Sequence, residues 1–447
     1  MKRVLLIWAA SLAALVASAQ KPLETARPED LGMDGDKLAQ VDRVIEESIA
    51  DKTIPGAVVS VVRGDKIVYL KAYGNKSLVP EVEPMTTETM FDLASVSKCV
   101  GTTLSFLQLI ENGYVRLTDN VDRYIPGFKP WEDPETGEKV DITVRDLMTH
   151  ASGLDAYIGV DSYVAEFGEN TPDELETYIA TRVKRNFRPG TECLYSCLNF
   201  ITLQRILERV TGERLCDYAQ RNVFAPLGLE HTCYFPLTST GPRSGREAAE
   251  GNPGGEGSGR RAFTRIGPRS GREAAEAFPA GEAPDFREGL KRLCAPTEVQ
   301  ADGLPLVAAV HDPIARRINS GNSGNAGVFS NAEDLSVICS AIMNGGQGVL
   351  SPLTIELMCK APVQNDPKVG RALGWDKDGW NPGTRGDIFD PETSIWHTGY
   401  TGPSIVIDMK TKTAVIILAN RVHPEDKGSM ARLRAQVSNI VAGAIVK

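Results

Sequence analysis

Apolar positions fall into two kinds of pattern along the chain. Residues 57–62, AVVSVV, and 67–73, IVYLKAY, are β-rich runs separated by Arg63-Gly64-Asp65-Lys66, which predicts a hairpin. The same signature returns near the other end as SIVID (404–408), a polar turn at Lys410-Thr411-Lys412, and TAVIILAN (413–420). Between the hairpins the apolar spacing turns helical, over 95–112, over 198–211 closed by Gly212, and over 332–343 with Asn331 as the N-cap. Further helical patterns cover 36–50 and 429–446. Strands at both sequence ends with helices between them predict an α+β fold of α/β sandwich type. One antiparallel sheet is assembled from the two termini and flanked by helices, with a large inserted helical subdomain. A site at the join then draws on segments far apart in sequence.

Composition places limits on the function. With 447 residues, 42% hydrophobic and 24% charged, the chain can bury a large core. Its net charge is −9, and −11 without Lys2 and Arg3, so phosphate backbones are repelled and nucleic acid is excluded as a partner. The N-terminus, MKRVLLIWAASLAALVASAQ, has two basic residues, an apolar run and Ala17-Ser18-Ala19 before Gln20. That layout predicts a cleavable signal peptide over 1–19, a mature domain over 20–447, and a periplasmic or secreted location. The apolar run is short for a membrane span, so no stable membrane insertion is expected after cleavage.

One stretch differs in kind. Residues 241–288 hold ten Gly and five Pro, and GPRSGREAAE occurs twice, at 241–250 and 267–276. So few large apolar side chains cannot offset the ordering entropy, which predicts a disordered, low-complexity insertion. The eight cysteines are too sparse for a disulfide scaffold and show no Cys-x-x-Cys spacing. The five histidines form no His-x-x-x-His pair, so a zinc site is unsupported. Cys99 and Cys339 sit in helical apolar patterns and read as small buried hydrophobes.

The candidate chemistry starts at FDLASVSK, residues 91–98. Ser95 and Lys98 are three apart at the start of a helix, so they share a face and the lysine reaches the hydroxyl. The motif alone is weak, because Ser95 could be a plain N-cap and Lys98 a solvated charge. Two later segments add to it. In ECLYSCLNF (192–200), Tyr195 precedes a helix, and its phenol, normally near pKa ~10, becomes a base only beside a cation such as Lys98. In WHTGYTGPSIVID (396–408), the small Thr398 and Gly399 let a substrate lie along a strand edge where a backbone N–H faces a developing oxyanion.

In this order, Ser95-x-x-Lys98, Tyr195-Ser196-Cys197 and His397-Thr398-Gly399 resemble the serine hydrolases of the class C β-lactamase and penicillin-binding-protein superfamily, particularly its esterase-like branch. LMTHASGL (147–154), His311-Asp312, GNAGVFSNAEDL (324–335) and LANRVHP (418–424) extend the resemblance over nearly all of the mature chain except 241–288. It implies a β-lactamase/transpeptidase-like fold and Ser95 as the nucleophile of an acyl-enzyme, with Lys98 and Tyr195 sharing the general-base work. Backbone N–H groups of Ser95 and Tyr400 then form the oxyanion hole, and no metal or organic cofactor is implied. The substrate is a small ester, an amide or a cell-wall-derived molecule. The alternatives are a D-alanyl-D-alanine carboxypeptidase or class C type β-lactamase, and a non-catalytic binding or sensing homologue.

Two departures bear on substrate choice. Members acting on β-lactams or D-alanyl peptides carry Lys where this chain has His397, and Asn where it has Cys197. A histidine of normal pKa, ~6.5, is mostly neutral at pH 7, which removes a fixed cation and shifts the expectation toward esters or amides without a free carboxylate. Asn199 lies two positions beyond Cys197 and is a candidate substrate contact at the wrong spacing for direct substitution. His150 and His311 read as structural loop histidines, and Trp375, Trp380 and Trp396 as core residues near the third motif.

Overall fold

The computed structural model describes residues 22–235, 286–360, 370–377 and 382–446. The leader, Trp380 and most of the 241–288 segment lie outside these residues. The last three positions of that segment, 286–288, belong to a short helix, Phe286–Leu290, so regular structure resumes earlier than the composition predicts.

The strands of the main sheet are β1 (Gly56–Arg63), β2 (Lys66–Ser77), β3 (Glu83–Pro84), β7 (Ser394–Thr398), β8 (Ser404–Asp408) and β9 (Thr413–Ala419), in the order β3-β2-β1-β9-β8-β7. All pairings are antiparallel, and the join between the two termini runs from Ala57↔Ala419 to Arg63↔Thr413. A strand absent from the sequence reading, β7, pairs His397 with Ile405 and carries the third motif on the sheet edge. Its five residues, SIWHT, are too short and mixed to stand out from the loop before them.

AVVSVV reads as an unbroken apolar run because β1 is covered on both faces. Val59 and Val61 pack with Val406, Val415 and Ile417 against α1 (Gln40–Ala50) and α5 (Ala431–Ala444), through Val41, Val44, Leu433 and Val437. Val58 and Val62 face the other way with Ile405, Ile416 and Leu418, under α4 (Ala332–Met343) and the helical region. Ser60 is the polar exception, and its hydroxyl is satisfied by Ser336 of α4 at 2.8 Å. Asn331 caps α4 as the sequence predicts, accepting from the Asp334 N–H at 2.9 Å.

A second sheet places the segment that bears Ser95. β4 (Phe91–Asp92), β5 (Cys233–Tyr234) and β6 (Val328–Ser330) form three antiparallel strands in the order β4-β6-β5. Beyond β4 the Leu93 N–H donates to the Val328 carbonyl and the Val328 N–H to the Ser97 hydroxyl, both at 3.0 Å. The turn bearing Ser95 is therefore tied to a strand on two sides.

Candidate active site

The helix predicted over 95–112 is helical throughout but not uniformly wound. Ala94–Val96 forms a tight 3-10 turn, Lys98–Thr103 a wide π-helical turn, and α2 (Leu104–Glu111) an ordinary α-helix. Such turns inside helices are common at functional sites. Ala94, next to Ser95, has φ +45°, a conformation L-residues rarely hold without outside constraint. The constraint is Asp92, a buried carboxylate that accepts from the N–H groups of Ala94 (2.8 Å) and His311 (2.7 Å) while its own carbonyl accepts from Thr401 (2.7 Å).

Lys98 is fully buried, and Ser95 makes no side-chain cap contact, which excludes the plain-cap alternative on geometry. The ammonium donates to the Ser95 hydroxyl at 3.0 Å and to the Asn325 carbonyl at 2.9 Å, and meets the Cys197 sulfur at 3.6 Å. It also lies 4.9 Å from the centre of the Tyr195 ring. Burial opposes its charge, yet the neighbouring Cys197 and Tyr195 outweigh burial and raise its pKa. Burial likewise raises the Tyr195 phenol, while the charge of Lys98 and hydrogen bonds with Lys98 and Ser95 pull it back. Lys98 and Tyr195 thus lie against each other beside the serine, each biasing where the other's proton resides.

The segments around this pair are pinned rather than free. Tyr195 is held by the 150–156 loop, for Leu194 donates to the His150 carbonyl (2.9 Å), Ser196 to His150 Nδ1 (3.0 Å), and Cys197 to the Ala156 carbonyl (2.9 Å). The His150 ring packs 4.5 Å from that of Tyr195. Asn325, missed by sequence reasoning, is delivered by a loop clamped between α3 (Cys197–Thr211) and the helix that bears Ser95 and Lys98. Gly324 donates to Gln204 (2.9 Å) and accepts from Thr102 (2.7 Å), and a Cβ there would lie 2.0 Å from the Phe200 carbonyl oxygen. Asn199 does not join the site, because its amide is engaged with Ser152 at 2.6 Å and His150 at 3.2 Å.

Ser95, Tyr195, His397, Thr398, Gly399 and Tyr400 line one cavity of about 480 Å³, together with Asp376, Arg421 and Arg434. Tyr400 stands at the rim, its ring against His311 and its hydroxyl donating to Asp426. Trp375 and Trp396 are fully buried core residues. Beneath the cavity floor Arg371 pairs with Asp376, and the guanidinium lies 5.4 Å from the centre of the Tyr195 ring. Sequence spacing gives no sign of this buried pair.

His397 Nδ1 donates to the Thr398 carbonyl at 2.9 Å, leaving Nε2 without a protein partner. Burial lowers its pKa to about 4, so it stays neutral across the physiological range. Above pH 6.5 both folded and unfolded chains hold it neutral and nothing changes. Below 6.5 the unfolded chain takes up a proton that the native state refuses until about pH 4, so stability falls as the pH falls. For His397 alone the loss is ~2 kcal/mol by pH 5. Urea unfolding at pH 7.5 and pH 5 is expected to show a difference smaller by about that amount in His397→Asn, and equal differences would refute the assignment.

Among the described residues no group of three or more His, Cys, Asp or Glu is placed to hold a metal ion, and no helix is long and apolar enough to cross a membrane. Comparison with known proteins agrees with the geometry. The chain is 29% identical to the N-acetylmuramyl-L-alanine amidase of Bacillus subtilis (strain 168), covering 87% of this chain and 81% of that one. It is 28% identical to a protein of Escherichia coli (strain K12) named "Putative D-alanyl-D-alanine carboxypeptidase", covering 91% and 88%. The fold is that of EstCE1, a hydrolase with promiscuous acyltransferase activity, at TM-score 0.66 and 21% identity over 91% of this chain and 99% of that one. The family model described as Beta-lactamase matches residues 41–439. With that match over most of its length, and with Ser95, Lys98 and Tyr195 brought together in one site, the chain belongs to the beta-lactamase family.

Proposed function

We propose that the protein is an exported serine hydrolase that cleaves an ester or amide through an acyl-enzyme on Ser95. The observation carrying this reading is Lys98, a fully buried cation held on the Ser95 hydroxyl at 3.0 Å with no carboxylate partner among the described residues. Burying a charge away from any counter-ion is costly, and a merely structural lysine has no reason to sit there.

In the proposed sequence the Lys98/Tyr195 pair enters with one proton fewer than ammonium and phenol together hold, Ser95 Oγ attacks the substrate carbonyl carbon, and the serine proton fills that vacancy on the pair. The carbonyl oxygen becomes an oxyanion facing the backbone N–H groups of Ser95 and Tyr400. The pair returns the proton to the leaving alcohol or amine as the C–O or C–N bond breaks. Water then attacks the acyl-enzyme by the same route, releasing the acid and restoring Ser95. His397, Thr398 and Gly399 line the substrate's path along β7. Both curated relatives are named for cell-wall chemistry, which supports a cell-wall-derived amide as the second substrate reading. The basic, apolar and small-residue layout of positions 1–20 supports export to the periplasm or medium.

The test is to incubate the mature protein with a short-chain nitrophenyl ester and, separately, a chromogenic cephalosporin, following product release and the intact mass. Ester turnover with a transient acyl adduct on the Ser95 peptide is expected, with little cephalosporin turnover. An adduct that never releases acid would point to the binding homologue, and fast cephalosporin turnover to a β-lactamase.

A further inference from the structure

The turn 371–376 touches the segment of every motif in the site. Its two ends, Arg371 and Asp376, bridge to each other, and Asp376 continues onto β7, where its backbone exchanges hydrogen bonds with Trp396 at 2.8 and 3.0 Å. At the tip Gly374 donates to the Met148 carbonyl (2.9 Å), just ahead of the loop that holds Tyr195. Its own carbonyl accepts from the Cys99 thiol (3.1 Å), beside Lys98. A Cβ at Gly374 would lie 1.9 Å from the Thr103 hydroxyl oxygen, so the turn is seated hard against the helix that bears Ser95.

This turn brings a guanidinium up to Tyr195. Arg371 is 1% exposed, pairs with Asp376 and lies 5.4 Å from the centre of the Tyr195 ring, close to the 4.9 Å of the Lys98 ammonium. Half-buried Arg185 shows what a structural arginine does in this chain, donating to the carbonyls of Lys129 (3.2 Å) and Ala180 (2.8 Å). The guanidinium of Arg371 serves no carbonyl among the described residues. Nor is a buried ion pair a strong source of stability, since apolar residues of similar volume often do as well or better.

The groups facing Tyr195 from its other sides leave few fixed charges. Burial holds His150, from the 150–156 loop, and His397, from β7, in their neutral forms, and it keeps the Cys197 thiol of α3 protonated. Ser95 is uncharged, and Lys98, on the same helix, gives and takes a proton during the proposed reaction. Asp376 is the one carboxylate here, and it is spent on holding Arg371. The guanidinium alone stays positive through every step.

We infer that Arg371, held by Asp376, is a positioning residue for Tyr195: a charge that stays fixed while the Lys98/Tyr195 pair moves protons, favouring the proton-deficient state of the pair that accepts from Ser95. This rests on the hydrolase reading above. Arg371 lies beneath the cavity and does not line it, so it acts through Tyr195 and not on the substrate.

The proton count of the pair is a joint property, and its loss of a proton forms the acid limb of the kcat/KM profile against pH. Taking away a nearby positive charge makes that proton harder to remove and moves the limb to higher pH. The profile is measured on a short-chain nitrophenyl ester for the parent, Arg371→Met and Arg371→Lys. In Arg371→Met the limb is expected to rise by about one pH unit, a tenfold loss on the acid side that closes at high pH. Arg371→Lys keeps it near the parental position. If the methionine variant does not fold, Arg371→Gln combined with Asp376→Asn replaces it with the same expectation. A limb that stays in place while the rate falls equally at every pH would make Arg371 merely structural and overturn the inference. A lysine variant shifted as far as the methionine one would do the same. In parallel, the Tyr195 phenol is titrated by NMR on protein carrying tyrosine isotope-labelled at Cζ, its signal assigned with Tyr195→Phe. A parent that cleaves no ester would overturn the hydrolase reading, and this titration would then decide alone: a rise in Arg371→Met supports the inference, and an unmoved signal overturns it.

Discussion

Ser95→Ala lowers kcat on a nitrophenyl ester by ~10⁴-fold or more, the scale expected when a nucleophile acting as one unit with its base is removed. The thermal midpoint stays within a few degrees, because the Ser95 side chain caps no helix. Lys98→Met should cost a similar factor in kcat while leaving the protein as stable or more so, since an apolar side chain of similar length relieves a buried charge. The two variants together separate catalysis from folding. Initial rates and melting curves on the purified proteins decide it: a Ser95→Ala enzyme within tenfold of the parent would end the acyl-enzyme mechanism.

Gly399→Ala carries the second large effect. A Cβ at this position would lie 2.4 Å from the Leu93 carbonyl oxygen, so β7 must move away from the segment that presents Ser95. The shift opens the gap between the nucleophile and the Tyr400 N–H without touching either side chain. A loss of ~10²-fold or more in kcat follows from misplacing an oxyanion donor. Equal kcat in parent and variant would show that the third motif does not hold the oxyanion, whatever happens to KM.

The elements legible in the sequence are those whose burial is one-dimensional. AVVSVV and TAVIILAN stand out because strands covered on both faces need apolar residues at every position. The helices at 198–211 and 332–343 stand out by period and cap. Ser95, Lys98 and Tyr195 emerge from motif order, and the geometry brings the three together. What stays hidden is pairing across the fold. Asn325 contributes a backbone carbonyl, a group every residue owns, so no residue type announces it. Asp92, Arg371, Asp376 and Arg434 look like surface charges until the fold brings their partners to them, and Asn199 looks available until Ser152 and His150 claim it.

The pairing of β1 with β9 joins Arg63 to Thr413, residues 350 positions apart. During synthesis the first hairpin therefore emerges long before its neighbour in the sheet exists, with its open edge awaiting a partner and only one of its two apolar faces within reach of α1. Contacts of such separation slow folding, because loop closure must precede any gain from burial. The serine, lysine and tyrosine are translated early, yet β7 and the α5 N-terminus that complete their cavity come last. The complete cavity thus arrives as one of the final events in the life of the nascent chain, and a ribosome stalled before residue 394 carries Ser95, Lys98 and Tyr195 without the strand and helix that wall them in.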